Sequence, residues 1–230
     1  MKKIGIIFAM DEELEAFTPC VTVLKEYNIF DLKFCEGMLG DNLCILTVCG
    51  VGKVNASRAT QILIDNMDVF CIINIGVAGA LTSSLKVLDI VIGKNLVQHD
   101  FDITAFNHEK GYIPNVGVYL ESDEYLVRLA EDVREKTNFN VMLGTIASGD
   151  IFCTNVAMGE KINRKFGALC VEMEGASIAQ TCYLSGIPFL IIRSISDVLS
   201  GNNEITYEEF LNISCQQVAK FLKEIILNIK

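Results

Sequence analysis

The chain has 230 residues, of which 51% are hydrophobic and 21% are charged, and its formal net charge is −10. A chain of this length and hydrophobicity can bury one sizeable core, and its composition excludes a disordered protein. A nucleic-acid-binding protein normally carries a basic patch or stripe, and the sequence contains none. We therefore expect a protein that binds a small molecule and has no nucleic-acid partner.

The cysteines and histidines predict a protein without a metal centre. Nine cysteines are scattered with no CxxC spacing, and the chain has two histidines. Cysteines with core-like neighbours are typical of reduced, buried thiols, so we expect a cytoplasmic protein. No run of about 18 apolar residues occurs, and we expect no membrane span.

Apolar runs alternate with helical patterns along the chain, which predicts an α/β fold. Near-continuous apolar runs such as CIINIG and FLIIRSI are typical of strands covered on both faces. No repeat, low-complexity tract or break in composition divides the chain, so we predict one domain over residues 1–230. Strands are expected at about 3–8, 43–49, 70–75, 87–97, 141–148, 168–172 and 187–195, helices at about 53–66, 122–137, 155–166, 174–185 and 206–228, and loops at 98–121 and 196–205.

Short signals predict where three of these helices begin or end. Ser122 with Asp123 and Glu124 is a candidate start for the helix at 122–137. Thr206 with Glu209 forms a capping-box pattern at the start of the last helix. Gly186, two residues before a proline, predicts the end of a helix and the start of a strand.

The stretch AMDEEL places three carboxylates directly after an apolar strand. Acidic side chains suit the first turn of a helix because its free N–H groups carry partial positive charge. The same position, at the carboxyl end of a central strand, is where ligands bind in open α/β sheets. The residues alone leave open whether one of Asp11, Glu12 and Glu13 is a catalytic base.

Two glycine-containing turns follow predicted strands, CGVGKVNASRA and NIGVAGAL. The first does not match a phosphate-binding P-loop, because Thr47 stands where the first glycine is required and Val54 follows the lysine. Both are better interpreted as tight turns at which the backbone approaches a ligand, and Gly76 and Gly79 lie in the second. The turns therefore indicate a small-molecule pocket.

In VEMEGASIAQ, Glu172 and Glu174 flank Met173 between a strand and an apolar helix. If the segment is extended, both carboxylates face one way and Met173 faces the other. A carboxylate here can accept hydrogen bonds from two adjacent hydroxyls, as on a ribose. It can also serve only as an acid at the start of a helix.

Arg193 interrupts the apolar strand in IIRSISDVL. A buried arginine is costly unless a carboxylate pairs with it, and Glu174 and Glu13 are the expected partners. Alternation places Arg193, Ile195 and Asp197 on one side, with Asp197 just beyond the strand end. A structural ion pair explains Arg193 but not Asp197, so we interpret the segment as functional.

Five segments occur in order over nearly the whole chain, namely AMDEEL, NIGVAGAL, SGDIFC, VEMEGASIA and RSISD. Together they resemble the 5′-methylthioadenosine/S-adenosylhomocysteine nucleosidases of the nucleoside phosphorylase superfamily. The resemblance implies a single α/β domain with a mixed, distorted central sheet flanked by helices, usually as a homodimer. It also implies hydrolysis of the N-glycosidic bond between adenine and a 5′-thio-substituted ribose, with no metal or organic cofactor.

The resemblance assigns two catalytic carboxylates. In the family pattern the third acid after Ala-Met is catalytic, which makes Glu13 the base and leaves Asp11 and Glu12 at the helix start. Asp197, in SISD, matches the acid that serves adenine N7. Such a pair parallels inverting glycosidases, whose two carboxyl groups stand far enough apart to admit a water molecule.

The remaining matches are substrate contacts. By resemblance, Glu174 binds the ribose hydroxyls, Met173 packs beside the sugar and Phe152 stacks on the base. The other matches are Cys153 at the adenine edge, Gly79 in the pocket lining, Ser196 and Arg193 in the surrounding polar shell, Tyr207 near the 5′ substituent, and Phe106, donated across the dimer interface.

The chain departs from the family pattern at Val77, because the family often has Ser-Ala-Gly-Gly where this chain has Val-Ala-Gly-Ala. The change removes a hydroxyl near the ribose and the attacking water. Either backbone groups or Arg193 compensate for the lost hydroxyl, or the rate of the reaction is lower. A milder departure is Cys153, which replaces a common aliphatic residue.

Three other functions are compatible with parts of the sequence. A purine nucleoside phosphorylase must anchor phosphate, which the three carboxylates of AMDEEL would repel. A nucleosidase for another adenosyl nucleoside, such as aminodeoxyfutalosine, would have a similar pocket. A non-catalytic nucleoside-binding protein would have no use for Glu13, Glu174 and Asp197 together.

Overall fold

The computed structural model describes residues 3–198 and 203–230. Strands and helices alternate along most of this part of the chain, as predicted. The strands are β1 (Lys3–Phe8), β2 (Thr22–Ile29), β3 (Leu32–Leu39), β4 (Asn42–Val48), β5 (Cys71–Ala80), β6 (Ile90–Gln98), β7 (Leu120–Glu121), β8 (Val141–Ser148), β9 (Ala168–Glu172) and β10 (Phe189–Val198). The helices are α1 (Asp11–Phe17), α2 (Lys53–Met67), α3 (Glu124–Lys136), α4 (Val156–Phe166), α5 (Gly175–Ser185) and α6 (Asn203–Leu227), with 3-10 helices at Thr18–Cys20 and Thr104–Phe106.

The strands of the described residues form one mixed sheet. Strand β1 lies between β4 and β5 and is parallel to both, and β5 also pairs in parallel with β10. Strands β3 and β2 extend the sheet beyond β4 as antiparallel neighbours. On the other side, β6, β8 and β9 connect β10 back to β5, so this half of the sheet closes on itself. The predicted α/β fold with a mixed, distorted sheet is confirmed.

Strands β5 and β10 are buried on both faces, which explains their apolar runs. Ile72 and Ile191 belong to one apolar cluster, and their chain neighbours Ile73 and Ile192 belong to the other. Because successive side chains of a strand alternate, an uninterrupted apolar run supplies two cores at once. Helices α2 and α5 pack into the first cluster and α3 and α6 into the second, so both faces of the sheet are covered.

Strands β2, β3 and β7 are absent from the strands predicted from the sequence. Strand β2 lies at an edge of the sheet with most of its side chains exposed, so it lacks the apolar run on which the prediction relied. Strand β7 has two residues and lies within the predicted loop 98–121. Strand β10 continues to Val198 because it pairs with β5 as far as Ala80. The prediction that Asp197 lies beyond the strand end is therefore wrong.

One predicted helix start and one predicted helix end are confirmed, and a second predicted start is wrong. The start predicted at Ser122, Asp123 and Glu124 belongs to α3, which begins at Glu124 and is capped by Asp123, because the Asp123 side chain accepts the N–H of Leu126 at 3.0 Å. Helix α6 begins at Asn203, so Thr206 lies inside it and does not begin it. Gly186 ends α5 in the left-handed region, with a φ of 68°. Residues 199–202 of the predicted loop 196–205 lie outside the described residues.

The cysteines agree with the expectation of buried thiols. All nine lie in the described residues and form no disulfide, and all except Cys20 are buried. No helix within residues 3–198 and 203–230 is long and apolar enough to cross a membrane.

Candidate active site

A cavity of about 270 Å³ lies where the carboxyl ends of β1, β5 and β10 meet. These three strands are parallel, so the residues at their carboxyl ends gather at one edge of the sheet. Four carboxylate side chains reach the lining, and most of the remaining lining is apolar. The four are Glu13, Glu172, Glu174 and Asp197.

Glu13 is the third residue of α1 and is buried. Its Oε2 accepts the backbone N–H groups of Ala9 at 2.7 Å and Met10 at 3.2 Å, and its Oε1 accepts that of Val77 at 3.2 Å. Burial raises the pKa of this carboxyl, while Arg193 and the three N–H groups oppose the rise. A carboxylate with such a raised pKa is suited to accept a proton.

Gly76 and the backbone of Val77, in the second half of β5, make room for Glu13. A Cβ on Gly76 would lie 2.5 Å from Glu13 Oε1, so any side chain at this position would displace the carboxylate. The group that approaches Gly76 is thus the carboxylate of Glu13 and not a ligand. Val77, which stands where the resemblance implied a serine, contributes its backbone N–H to Glu13, and its side chain lines the cavity.

Asp197 is buried near the end of β10. A β-bulge at Ser196 breaks the alternation that the sequence analysis assumed, and it pairs Asp197 with Gly79 of β5. A Cβ on Gly79 would lie 2.9 Å from Asp197 Oδ2. Burial raises the pKa of Asp197, against the hydrogen bond that Ser196 Oγ donates to its Oδ1 at 2.8 Å. A carboxyl in such surroundings can hold a proton and donate it.

Glu174 precedes α5 and is buried beside the cavity. Its Oε1 accepts the backbone N–H of Gly52 at 2.8 Å, and its Oε2 lies 3.9 Å from Arg193 Nη2. Burial raises the pKa of Glu174, and the nearby charge of Glu172 raises it further. Arg193 and the N–H of Gly52 act in the opposite direction.

The main partner of Arg193 is Glu172, which the sequence analysis did not assign. The two buried side chains form an ion pair, and Arg193 also donates to Asn74 Oδ1. Glu174 is a more distant partner, and Glu13 acts on Arg193 only through its charge. The expected pairing with Glu174 is therefore confirmed as the longer of two ion pairs, and the prediction missed Glu172, the nearer partner.

Backbone N–H and hydroxyl groups donate the other hydrogen bonds that the Glu172 carboxylate accepts. Ser148 Oγ donates to its Oε1, and the N–H groups of Glu174 and Gly175 donate to its Oε2 at 3.1 and 2.7 Å. Ser148 and Glu172 are register partners on the parallel strands β8 and β9. In the sequence, the signal for this group of carboxylates was that Glu172 and Glu174 lie two positions apart.

The apolar part of the lining contains aromatic and sulfur-bearing side chains. Phe152 is 43% exposed, and its ring packs edge-on against that of Tyr207, with centroids 5.8 Å apart and planes at 81°. Met173 and Cys153 line the same cavity. An exposed aromatic face beside methionine suits a flat heterocycle.

Two of the predicted site residues do not line the cavity. Arg193 is 1% exposed and binds the carboxylates of the lining, so it can support them without touching a ligand. Phe106 is 76% exposed on the 3-10 helix Thr104–Phe106. The predicted residues that do line the cavity are Glu13, Val77, Gly79, Phe152, Cys153, Met173, Glu174, Ser196, Asp197 and Tyr207.

The charged side chains of the lining all carry acidic groups. Among the described residues that form it, none is lysine, arginine or histidine. Carboxyl groups in a largely apolar cavity can protonate a ring nitrogen and can stabilise a developing positive charge. They would repel an anion such as phosphate.

Residues 3–227 match the family model described as "Phosphorylase superfamily", the class of protein to which this mixed sheet and its cavity belong. A 5′-methylthioadenosine/S-adenosylhomocysteine nucleosidase from Staphylococcus carnosus (strain TM300) is 41% identical over 225 residues, which are 97% of this chain and 97% of that protein. The chain belongs to the 5′-methylthioadenosine/S-adenosylhomocysteine nucleosidase family.

Two solved structures have the same fold. An S-adenosylhomocysteine nucleosidase from Streptococcus pyogenes, in complex with 5-methylthiotubericidin, is 33% identical with a TM-score of 0.96, and the match covers 100% of this chain and 98% of that one. The futalosine hydrolase of Helicobacter pylori strain 26695 is 35% identical with a TM-score of 0.95, over 99% of this chain and 98% of that one. The predicted nucleoside-phosphorylase-like fold is thus confirmed.

Proposed function

We propose that the protein hydrolyses the N-glycosidic bond of 5′-methylthioadenosine and S-adenosylhomocysteine. The products are adenine and the 5-thio-substituted ribose, which places the reaction in methionine salvage and in the removal of S-adenosylhomocysteine. The observation that carries the proposal is that Glu13 and Asp197, both buried carboxyls with raised pKa values, line one cavity with Phe152. The names of the relatives at about 40% identity support it.

Asp197 protonates or hydrogen-bonds N7 of adenine as the bond to C1′ lengthens. The electron pair of that bond passes into the purine, and positive charge grows on the ribose. Glu13 orients a water molecule on the opposite face of C1′, and its charge steadies the oxocarbenium-like transition state. The water oxygen bonds to C1′, and the proton that it loses passes to Glu13. General acid and base steps of this kind contribute about 10² to 10⁴-fold each.

The other residues of the lining hold the substrate. Glu174 accepts hydrogen bonds from the two ribose hydroxyls, and Met173 packs beside the sugar. Phe152 stacks on the adenine, and the backbone of Cys153 meets its edge. Tyr207 lies near the 5′ substituent. The Val77 N–H, which holds Glu13, takes over part of the role of the family's serine.

The charge of the lining favours hydrolysis over phosphorolysis. A phosphorylase needs cationic or backbone groups that anchor a phosphate dianion beside C1′. In this cavity the backbone N–H groups of Ala9, Met10 and Val77 are already occupied by Glu13. Water can bind beside that carboxylate, whereas phosphate would be repelled.

A second candidate substrate is another adenosyl nucleoside, such as aminodeoxyfutalosine. The likeness to the futalosine hydrolase of Helicobacter pylori favours it, since that structure matches as closely as the nucleosidases do. Adenine and ribose contacts would be the same for both substrates. The selection between them would depend on the residues near the 5′ position.

The protein is further proposed to be a cytoplasmic homodimer. Phe106 supports the dimer, because a phenylalanine that is 76% exposed is readily explained if it is buried against a second copy. There it would complete the partner's cavity near the 5′ substituent. The nine cysteines without disulfides support a reducing compartment.

The function is tested by incubating the protein with methylthioadenosine, S-adenosylhomocysteine and aminodeoxyfutalosine, with and without inorganic phosphate. We expect adenine and a free 5-thio-ribose from the first two at rates that do not depend on phosphate. A sugar 1-phosphate that forms only with phosphate would contradict hydrolysis. A much higher kcat/KM for aminodeoxyfutalosine would make it the main substrate.

Glu13→Gln tests the proposed base, with Glu12→Gln as a matched control. Glu12 neighbours Glu13 on α1 but is exposed and outside the lining. We expect the first variant to lose about 10² to 10⁴-fold in kcat and the second to keep its activity. Nearly intact turnover in Glu13→Gln would remove the base from the mechanism.

A further inference from the structure

Lys53 occupies a position where a cation is electrostatically unfavourable, the first residue of α2. Its side chain is only 17% exposed, and Nζ lies 2.7 Å from Asp100 Oδ1 and 3.2 Å from Gln98 Oε1. Its backbone N–H donates to Asp150 Oδ1 at 2.8 Å. The ammonium group and the start of α2 are therefore both held by residues distant in sequence.

These contacts join the ends of two strands to the start of α2. Gln98 is the last residue of β6, and Asp150 lies two residues beyond the end of β8. The backbone N–H of Asp150 donates to Asp100 Oδ2 at 3.0 Å, which closes a ring of contacts with Lys53. Burial alone would raise the pKa of Asp100, but the hydrogen bonds from Lys53 and Asp150 outweigh it and leave the pKa lowered. Asp100 thus stays an anion paired with the ammonium.

Gly52 connects this ring to the cavity. It directly precedes Lys53, and its N–H donates to Glu174 Oε1 at 2.8 Å. Its φ of +100° is a conformation that favours glycine, and an added Cβ would lie 3.2 Å from Asp150 Oδ1. The N–H groups of Gly52 and Lys53 belong to successive peptide units joined at the Gly52 Cα, and they bind Glu174 and Asp150 respectively. A displacement of Lys53 therefore reaches the N–H that faces Glu174 through the backbone torsions of Gly52.

We propose that Lys53 is a positioning residue that acts through Asp100 and Asp150. It fixes the glycine turn so that the Gly52 N–H holds Glu174 ready for the ribose hydroxyls. The inference rests on the proposed function, because that function assigns Glu174 to the ribose. It also explains why a lysine follows the two glycines of a turn that is not a P-loop.

Loss of the Gly52 N–H would change the protonation of Glu174. The charged groups that act on Glu174 are Glu172 and Glu13, which raise its pKa, and Arg193, which lowers it. The N–H also lowers it, so its displacement would raise the pKa further. More of the enzyme would then carry a protonated Glu174, which accepts fewer hydrogen bonds from the substrate.

Lys53→Met tests the proposal, with Lys53→Arg as the rescue variant and Lys94→Met as the control. Lys94 is an exposed lysine on β6. For Lys53→Met we expect kcat/KM with methylthioadenosine to fall roughly tenfold, mainly through KM, which is the size of one well-placed hydrogen bond. The acidic limb of the pH profile of kcat/KM should move to higher pH. Lys53→Arg should restore both properties, and Lys94→Met should resemble the wild type.

A folded Lys53→Met protein with the KM and the acidic limb of the wild type would overturn the proposal. So would an arginine variant that is as impaired as the methionine one. If Lys53→Met does not fold, Asp100→Asn replaces it, because this variant keeps the side-chain shape and removes the charge that faces Lys53. A displaced acidic limb in Asp100→Asn supports the proposal, and an unchanged limb overturns it. Failure of the proposed function can be distinguished from failure of this proposal, because the function is tested with the wild-type protein alone.

Discussion

Gly76 lies so close to Glu13 that a Cβ at position 76 would be 2.5 Å from Oε1 and 3.4 Å from Oε2. The same approach lets the N–H of the next residue, Val77, reach Oε1. The position of Glu13, the proposed base, therefore depends on the absence of a side chain at Gly76 on strand β5.

Gly76→Ala should displace the Glu13 carboxylate and lower kcat by about 10²-fold, the effect of moving a reacting group by about 1 Å. Gly5→Ala is the control, because the nearest atoms to its added Cβ would be side-chain carbons of Ile72 and Leu63 at 3.3 Å and of Val69 at 3.5 Å. We expect that variant to keep its kcat. Steady-state kinetics and urea unfolding of both proteins provide the measurement. Wild-type turnover in Gly76→Ala would show that Glu13 need not remain in this position.

Asp197→Asn should abolish most of the turnover and stabilise the protein at neutral pH. Burial raises the pKa of Asp197 in the folded state above its ordinary value of 3.8, so the folded state binds more protons than the unfolded state between these two pKa values. Stability is therefore lost as the pH rises from about 3.8 through the folded pKa. Asparagine carries no charge, so the variant escapes this loss, and its Oδ1 can still accept from Ser196 Oγ.

The free energy of unfolding of both proteins, measured with urea across the acidic and neutral range, checks this expectation. The free energy of unfolding of Asp197→Asn should equal that of the wild type below the ordinary pKa of aspartate. It should exceed that of the wild type by a margin that grows toward neutral pH. The loss of activity should be about 10² to 10⁴-fold. A variant that is less stable than the wild type at neutral pH would show that Asp197 is stabilised as an anion.

Arg193→Met should lower the free energy of unfolding by about 3–5 kcal/mol, because it leaves the buried Glu172 carboxylate without its cation. Glu172→Gln leaves Arg193 without its main partner and should also destabilise. The double variant should lose less than the sum of the two, since neither charge remains unpaired. Strict additivity in urea unfolding would contradict a direct coupling between the two side chains.

Arg58→Met is the matched control for the buried pair. Arg58 forms an ion pair with Asp31, and both side chains are exposed. Exposed pairs contribute little to the free energy of unfolding because water and salt screen them. A loss in Arg58→Met as large as that in Arg193→Met would show that burial does not set the cost.

Phe152→Ala should raise KM for methylthioadenosine with little effect on stability. The ring is 43% exposed and contacts Tyr207 edge-on, so its removal leaves no deep cavity in the core. Stacking of a base on an aromatic ring is worth about 1–3 kcal/mol, which corresponds to about a 5- to 150-fold rise in KM. Phe30→Ala is the control, since Phe30 is exposed outside the cavity lining. Equal KM values in the two variants would remove Phe152 from the base site.

The sequence by itself determined the elements whose signals are local. The apolar runs of β5 and β10 predicted strands buried on both faces, and Gly186 marked a helix end through its own conformation. The order of five short motifs was enough to indicate the family. The edge strand β2 escaped prediction because most of its side chains face water, so no apolar pattern marks it.

Only the tertiary structure decided which of these residues meet. The pairing of Arg193 with Glu172, and of Gly52 with Glu174, joins segments far apart in the chain. Nothing in either segment specifies its partner, because both contacts depend on the order of strands in the sheet. The protonation of the carboxyls was likewise set by the fold, since burial is the main cause of the raised pKa values of Glu13 and Asp197.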